Sequence, residues 1–259
     1  MLWLMTADGA LHLAPLENPK HVLDIGTGTG SWAVEFASQY PQSHIIGTDL
    51  SPIQPTYIPV NCAFEIHDAE DSWDFSHQFS YIHGRALISC FQDPSTIIQK
   101  AYDALEPGGY LELHDGLFPF SFMDPQPDPD GVLMRWFNSA LTASIRVGRP
   151  WNNAQHYSRW MSECGFEDIV EKRFFWPHGT WAKGEKMKRL GALFKEDMAV
   201  AVEAISMKLF TKVLGMREEE VREMVESVVG EMGRKGVFMY ETVLFVYGRK
   251  PLNAESPSS

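Results

Sequence analysis

Cysteine is scarce. The chain has three, Cys62, Cys90 and Cys164, far apart and odd in number. That spacing builds neither a disulfide framework nor a paired-cysteine zinc site. They read as small buried apolar side chains in a reducing compartment. Positive charge is also short: 22 Lys and Arg stand against 34 Asp and Glu, a net charge of −12. Such a chain repels phosphate backbones and anionic membrane surfaces unless a basic patch intervenes. The nearest candidates, Lys183, Lys186, Lys188 and Arg189, are interleaved with Glu185 and read as a solvated helix face. No apolar run approaches the roughly 18 residues of a membrane span. Met1–Met5 is apolar but stops at Thr6-Ala7-Asp8, too short for a secretory leader. Repeats and low-complexity tracts are missing too. The expected setting is cytoplasmic or nuclear, with no nucleic-acid or membrane partner.

What is present is an ordinary globular composition, 44% apolar and 22% charged over 259 residues. The N-terminal half alternates strand and helix signals. Strands are predicted at His21–Ile25, His44–Asp49, Cys62–Ile66, Phe79–His83 and Tyr110–His114, the last after a Pro107-Gly108-Gly109 turn. Helices are predicted at Ser31–Gln39 and Pro94–Leu105. Strands separated by helices imply a parallel sheet with right-handed crossovers. The second half differs. Pro119–Pro129 carries four prolines and reads as a loop. Helices follow at Val132–Ile145 and at Asn153–Cys164, the latter stopped by Gly165. Strands at Glu167–Trp176 and Phe238–Tyr247 enclose helices at Lys186–Leu214 and Arg217–Met232. The stretch 179–236 is too long for a simple crossover and reads as a helical insertion within one domain, 1–251. Leu252–Ser259 reads as a disordered polar tail.

The chemistry gathers at the first strand's end. Asp24-Ile25-Gly26-Thr27-Gly28-Thr29-Gly30 leaves a strand and opens a helix. Its glycines permit a tight turn and close approach of a ligand, and the helix behind presents free N–H groups. Asp49 ends the next strand, 19 residues after Gly30, where an acid can accept hydrogen bonds from ribose hydroxyls. Asp68-Ala69-Glu70-Asp71 ends the third, where it can meet an adenine edge. The glycine spacing departs from the G-x-G-x-x-G of nicotinamide enzymes, which disfavours an oxidoreductase.

These residues resemble the class I S-adenosylmethionine-dependent methyltransferases. Val22–Gly30 is similar to their first motif, Gly47–Ser51 to the ribose loop, Asp68–Glu70 to the adenine loop, and Glu106–Asp115 to the approach into the fifth strand. More narrowly, residues 8–16, 67–71 with Trp73, 81–87, 179–184 and 246–251 resemble the LaeA-like fungal methyltransferases. The resemblance implies a Rossmann-like, doubly wound, seven-stranded sheet with an antiparallel last strand. It implies S-adenosylmethionine as cofactor, held by Asp24, Gly26, Thr27, Gly28, Gly30, Asp49, Leu50, Asp68, Ala69, Glu70 and Arg85, with no metal. It also implies methyl transfer to an O or N atom of a hydrophobic small molecule in fungal secondary metabolism. A non-catalytic regulator with a protein partner, or a methyltransferase-fold isomerase or cyclase, are the alternatives. Such enzymes usually carry helices before the first strand. Only 21 residues precede Val22, so either a more open pocket or a reduced lid supplied by Trp3 and His12 is expected.

Methyl transfer needs a base only if the acceptor carries a proton. His114 and Asp115 end the fifth strand, and His114 reads equally as that base or as a half-buried imidazole bonded to a loop. Arg85 reads as the partner of a ligand carboxylate or, preferably, of a protein acid. His83 follows the fourth strand with Arg85, while His156, Tyr157 and His178 are weaker candidates that read first as core or surface residues. Phe118, Phe120, Phe122, Met123, Trp136 and Phe137, with Trp176 and Trp181, suit the walls of an apolar acceptor site.

Overall fold

The computed structural model describes residues 1–254, so residues 255–259 of the expected tail lie outside the described residues. Its chain divides into two compact units: Gly9–Asp115, Asn153–Lys172 and the chain from Leu244 form one, and Met1–Asp8, Gly116–Asn152 and Arg173–Val243 the other.

The first unit is built on parallel strands β1 (His21–Ile25), β2 (His44–Asp49), β3 (Cys62–Ile66), β4 (Phe79–Arg85) and β5 (Leu105–Gly116), in the order β3-β2-β1-β4-β5. Register is set by pairs such as His21↔His44, Ile45↔Cys62 and Val22↔Tyr81. β1 and β4 are buried almost throughout, as strands covered on both faces must be, which is why β1 reads as an apolar run. The order reverses between β1 and β4. Their carboxyl ends therefore flank the switch point where open α/β sheets bind ligands. α2 (Ser31–Gln39) buries Trp32, Ala33, Phe36 and Ala37. α3 (Pro94–Ala104) starts at Asp93, whose carboxylate accepts the Ser95 N–H, with Pro94 in the first turn.

The last strand, β8 (Met239–Arg249), runs antiparallel to β5. The Gly108 N–H donates to the Lys250 carbonyl at one end and the Leu117 N–H to the Thr242 carbonyl at the other. This ladder absorbs Pro107-Gly108-Gly109 into β5, so the predicted turn is a strand. Buried Lys250 anchors it, donating to the Tyr102 and Leu105 carbonyls at 2.7 Å each.

In the second unit α1 (Leu2–Thr6), α4 (Val132–Arg146), α6 (Glu185–Lys212) and α7 (Glu218–Met232) pack around Trp136, Phe137, Phe194, Val202, Phe210, Val221 and Val228. Two indoles are satisfied within this core: Trp136 donates to Ser206 Oγ at 2.8 Å and Trp176 to Thr6 Oγ1 at 2.7 Å. Among the described residues the sheet holds eight strands, not seven. The extra one is β6 (Ser121–Phe122), a two-residue strand inside the proline-rich segment, pairing antiparallel with Tyr240 and Met239. β7 (Glu167–Pro177) pairs with β8. The predicted helix from Asn153 is a 3₁₀ turn, Ala154–His156, followed by α5 (Tyr157–Cys164), which ends at left-handed Gly165. Of the cysteines only Cys62 is buried; Cys90 is exposed. Among the described residues no helix is long and apolar enough to cross a membrane.

Candidate cofactor site

The glycine loop leaves β1 at the switch point with Gly26, Gly28 and Gly30 all at positive φ, 60°, 57° and 73°. Their surroundings divide the labour. A Cβ at Gly26 would stand 2.6 Å from Leu87, and one at Gly30 would run into the Phe64 ring. A Cβ at Gly28 would meet nothing within 4 Å. Gly30 and Gly47 thus make room for Phe64, a helix-to-strand packing role, while Gly28 keeps an open face for a ligand.

Asp49 joins two strand ends. Its Oδ2 accepts the Gly28 N–H at 2.8 Å and its Oδ1 the Ser51 N–H at 2.9 Å. A carboxylate has about four acceptor positions, so capacity remains for ribose hydroxyls. Gln54 closes the loop from outside, donating to the Gly28 carbonyl at 2.7 Å. Leu50, 65% exposed, stands on the rim. The acidic loop is fastened separately. Asp68 Oδ1 accepts the Glu70 N–H at 2.9 Å, and Glu70 Oε1 accepts the Gln92 N–H at 2.7 Å. Lys100 of α3 donates to the carbonyls of Ala69, Glu70 and Asp71 at 3.1, 2.7 and 2.8 Å. Nothing in the sequence marked Lys100 or Gln54, because their partners are backbone carbonyls and those that fasten the loops lie 26 to 31 residues away.

Under the loop lies a sealed polar layer. Asp24 is 2% exposed; its Oδ2 accepts from Thr27 Oγ1 at 2.5 Å, and its Oδ1 bonds His83 Nδ1 at 2.7 Å. Burial pushes Asp24 up to about 7, against the Thr27 hydrogen bond and the Arg85 charge. Burial holds His83 well below the ordinary imidazole value, so it is neutral and shares one hydrogen bond with Asp24 through Nδ1. Its ring stacks on Trp32, centroids 3.8 Å apart, and its buried Nε2 has no partner among the described residues. Arg85 is half-buried in the fields of Asp24 and Glu35, both opposing the desolvation that lowers its pKa.

Glu112, fully buried, organises the neighbouring layer. It accepts the Leu13 and Ala14 N–H groups at 2.8 and 2.9 Å, the Tyr81 hydroxyl at 3.0 Å and His114 Nε2 at 2.6 Å. Burial would raise it, but the His114 and backbone hydrogen bonds prevail and hold it at about 2. Burial keeps His114 neutral against the pull of Glu112. His114 and Asp115 are each 2% exposed. The His114 ring stacks on Phe245 at 3.6 Å, and Asp115 accepts the Leu87 N–H and the Tyr157 hydroxyl at 3.0 and 2.9 Å.

Of the expected lid residues, His12 is wedged among Phe36, Tyr40 and Tyr81 with Nε2 on the Tyr40 hydroxyl at 2.6 Å, and Trp3 packs edge-on against Trp176. Phe118, Phe120, Trp136, Phe137 and Trp176 are buried in their unit's core, whereas Met123 is 52% exposed. Phe120 and Phe122, with Met134 and Tyr240, line an apolar cavity of about 520 Å³. Among the described residues no cluster of His, Cys, Asp and Glu is arranged to hold a metal.

Comparison with known proteins agrees with this geometry. Residues 6–171 match the model of the methyltransferase domain family. The chain is 34% identical to methyltransferase pytC of Aspergillus terreus over 96% of its own length and 78% of that protein's. It is 29% identical to the secondary metabolism regulator LAE1 of Cochliobolus heterostrophus, over 94% and 82%. Among solved structures it superposes on phosphoethanolamine N-methyltransferase 2 of Haemonchus contortus in complex with S-adenosyl-L-methionine, with a TM-score of 0.53 and 16% identity, covering 92% of this chain. The chain spans half the length of that protein. It also superposes on the 4+2 cyclase SpnF, with a TM-score of 0.54 and 17% identity, over 92% and 77%. At such identities the likeness is one of fold. The family match and the curated relatives lead to one statement: the chain belongs to the methyltransferase domain family, with relatives in fungal secondary metabolism.

Proposed function

We propose that the chain transfers a methyl group from S-adenosylmethionine to an O or N atom of a hydrophobic small molecule in fungal secondary metabolism. The observation that carries this reading is Asp49 bridging the β1 and β2 ends beside the one loop glycine whose outer face is open. When bound, the cofactor supplies an electrophilic methyl on a sulfonium. Asp49 would hold the ribose hydroxyls, with Leu50 against the nucleoside. Gly26, Thr27 and Gly28 would offer backbone to the amino-acid end, with Asp24 and Arg85 setting the charge behind it. Asp68, Ala69 and Glu70 would meet the adenine.

The burial of His114 and Asp115 supports a positioning role for both. His114 steadies Glu112, which holds the Leu13-Ala14 backbone, and Asp115 holds Leu87 and Tyr157. The burden of catalysis then rests on proximity and orientation, which methyl transfer exploits well. Calorimetry with S-adenosylmethionine tests the cofactor claim: binding is expected, and none at millimolar concentration would sink it. Radiolabelled methyl transfer to metabolite extracts tests the reaction.

A second reading is favoured by the likeness to LAE1: a regulator that binds the cofactor and acts through a protein partner in the cytoplasm or nucleus. Labelled methyl appearing on any small metabolite counts against it. Acceptor conversion without consumption of the methyl donor would instead point to isomerase or cyclase chemistry.

A further inference from the structure

His83 is completely buried, yet nothing in the proposed methyl transfer uses it. It stands on β4 with its register partner Asp24 on β1, and the two side chains meet at 2.7 Å between Nδ1 and Oδ1. Both are sealed, their side chains 0% and 3% exposed. The other carboxylate oxygen, Oδ2, accepts the Thr27 hydroxyl at 2.5 Å, and Thr27 stands between Gly26 and Gly28 in the loop. The pair is thus one side chain removed from the backbone that would face the amino-acid end of the cofactor. The Trp32 ring, 3.8 Å away and within 7° of parallel, fixes the imidazole plane.

The geometry limits where a proton can go. With Oδ2 engaged by Thr27, a proton added to the pair goes onto the line between Oδ1 and Nδ1. The imidazole must then carry a hydrogen on Nε2, whether the added proton rests on oxygen or on nitrogen. Nε2 is buried and without a partner among the described residues, so that hydrogen is an orphan donor. Without the added proton, Nδ1 donates to the carboxylate and every hydrogen of the pair is placed. Against this anionic form stands burial, which pushes Asp24 up to about 7. Arg85 from β4 and His114 from β5 pull it down, and Asp49 from β2 raises it. His114, Arg85 and His12 disfavour charge on His83, and Glu112 favours it. Glu35 of α2 acts on Arg85 in turn. Cys62 and Tyr81, both pushed up first by burial, stay uncharged. A cation above the loop tips this balance toward the anion.

Resting on the cofactor reading above, we propose that Asp24 and His83 share one dissociable proton that is expelled when S-adenosylmethionine binds, with His83 the positioning residue that keeps the carboxylate charged beneath the loop. The α-ammonium and the sulfonium of the ligand are both cations, and attraction to a buried anion is weakly screened. The proton leaves to the buffer, and nothing passes to the ligand. Only the anionic fraction binds, so affinity rises with pH through the titration of the pair and falls below it. The ligand's own α-ammonium titrates at about 7.7–8.0 and in the opposite sense, becoming more cationic as pH falls.

Calorimetry on the full chain between pH 7.5 and 5.5 tests this with two probes. S-adenosylmethionine should lose at least about tenfold in affinity at the lower pH, since the anionic fraction falls from about three quarters to about one thirtieth. At pH 6.5 its binding should release most of one proton, read from the dependence of the heat on buffer ionisation enthalpy. 5′-Methylthioadenosine keeps the nucleoside and lacks both cations, so it should show neither effect. His83→Phe keeps a ring against Trp32 and removes Nδ1. The midpoint of the affinity profile should then move to higher pH, whereas loss of a merely structural residue would lower affinity equally at every pH. Equal affinity throughout with no proton released, or the same profile with 5′-methylthioadenosine, would overturn the inference without any variant. An unmoved midpoint in folded His83→Phe would overturn it too. Each of these leaves the cofactor reading standing, whereas no binding of S-adenosylmethionine at any pH would overturn both.

Discussion

Single residues at the glycine loop carry different loads, and substitution should separate them. Asp49→Ala removes the carboxylate that ties Gly28 and faces the ribose position. Affinity for S-adenosylmethionine should fall at least about tenfold, equivalent to roughly 1.4 kcal/mol; unchanged affinity in calorimetry would remove the ribose assignment. Gly30→Ala should act on stability instead. Its Cβ meets the Phe64 ring at a left-handed position, and overpacking of that kind costs about 1–3 kcal/mol. Phe64→Leu, which withdraws the ring, should restore part of the loss, and urea unfolding would read both. His178 supplies a pH signature. Its native value is lowered from 6.5 to about 4, chiefly by burial, so between those values the unfolded chain binds a proton that the folded chain does not. The imidazole therefore weakens the fold as pH drops from 6.5 towards 4 and is neutral in effect above that range. The destabilisation caused by His178→Gln should be largest above pH 6.5 and shrink towards pH 4. A pH-independent difference in melting temperature would contradict this.

At the scale of elements, the loop ending β3 is held in shape from α3. Lys100 supplies hydrogen bonds to three successive carbonyls of residues 69–71. Lys100→Met keeps the apolar stem and deletes the donors. Affinity for S-adenosylmethionine should drop about tenfold, the net worth of one to two hydrogen bonds. Affinity for adenosine should fall by the same factor, because only the adenine end is released. Loss of cofactor binding without loss of adenosine binding would show that the loop is held by other means.

The same scale shows what the sequence made legible. The bounds of β1, α2, β2 and β3 match the pattern reading residue for residue, because each is a short apolar segment punctuated by Gly, Pro or Asp. The Pro107-Gly108-Gly109 turn failed because its partner, Lys250, lies 142 residues away from Gly108, and local signals do not see a ladder formed at that distance. The glycines and Asp49 were readable as a ligand edge. The burial of His114 and Asp115 was not, since nothing local reveals that Glu112, Phe245 and Tyr157 enclose them.

For the whole molecule, the question is whether the two units melt separately. β7 and β8 each begin in one unit and end in the other. Melting either unit alone would require both strands to end in mid-length, at Lys172 and Arg173 in β7 and at Val243 and Leu244 in β8. The sequence reading of one domain spanning 1–251 is therefore proposed as a statement about cooperativity. Calorimetry should show a single transition with equal calorimetric and van't Hoff enthalpies. S-adenosylmethionine, binding only the folded chain, should raise that whole transition, contributing about 2.7 kcal/mol at a hundredfold excess over Kd. Two resolved transitions, of which the cofactor moves one, would mean that the units fold independently and that the glycine-loop unit alone carries the cofactor's stabilisation.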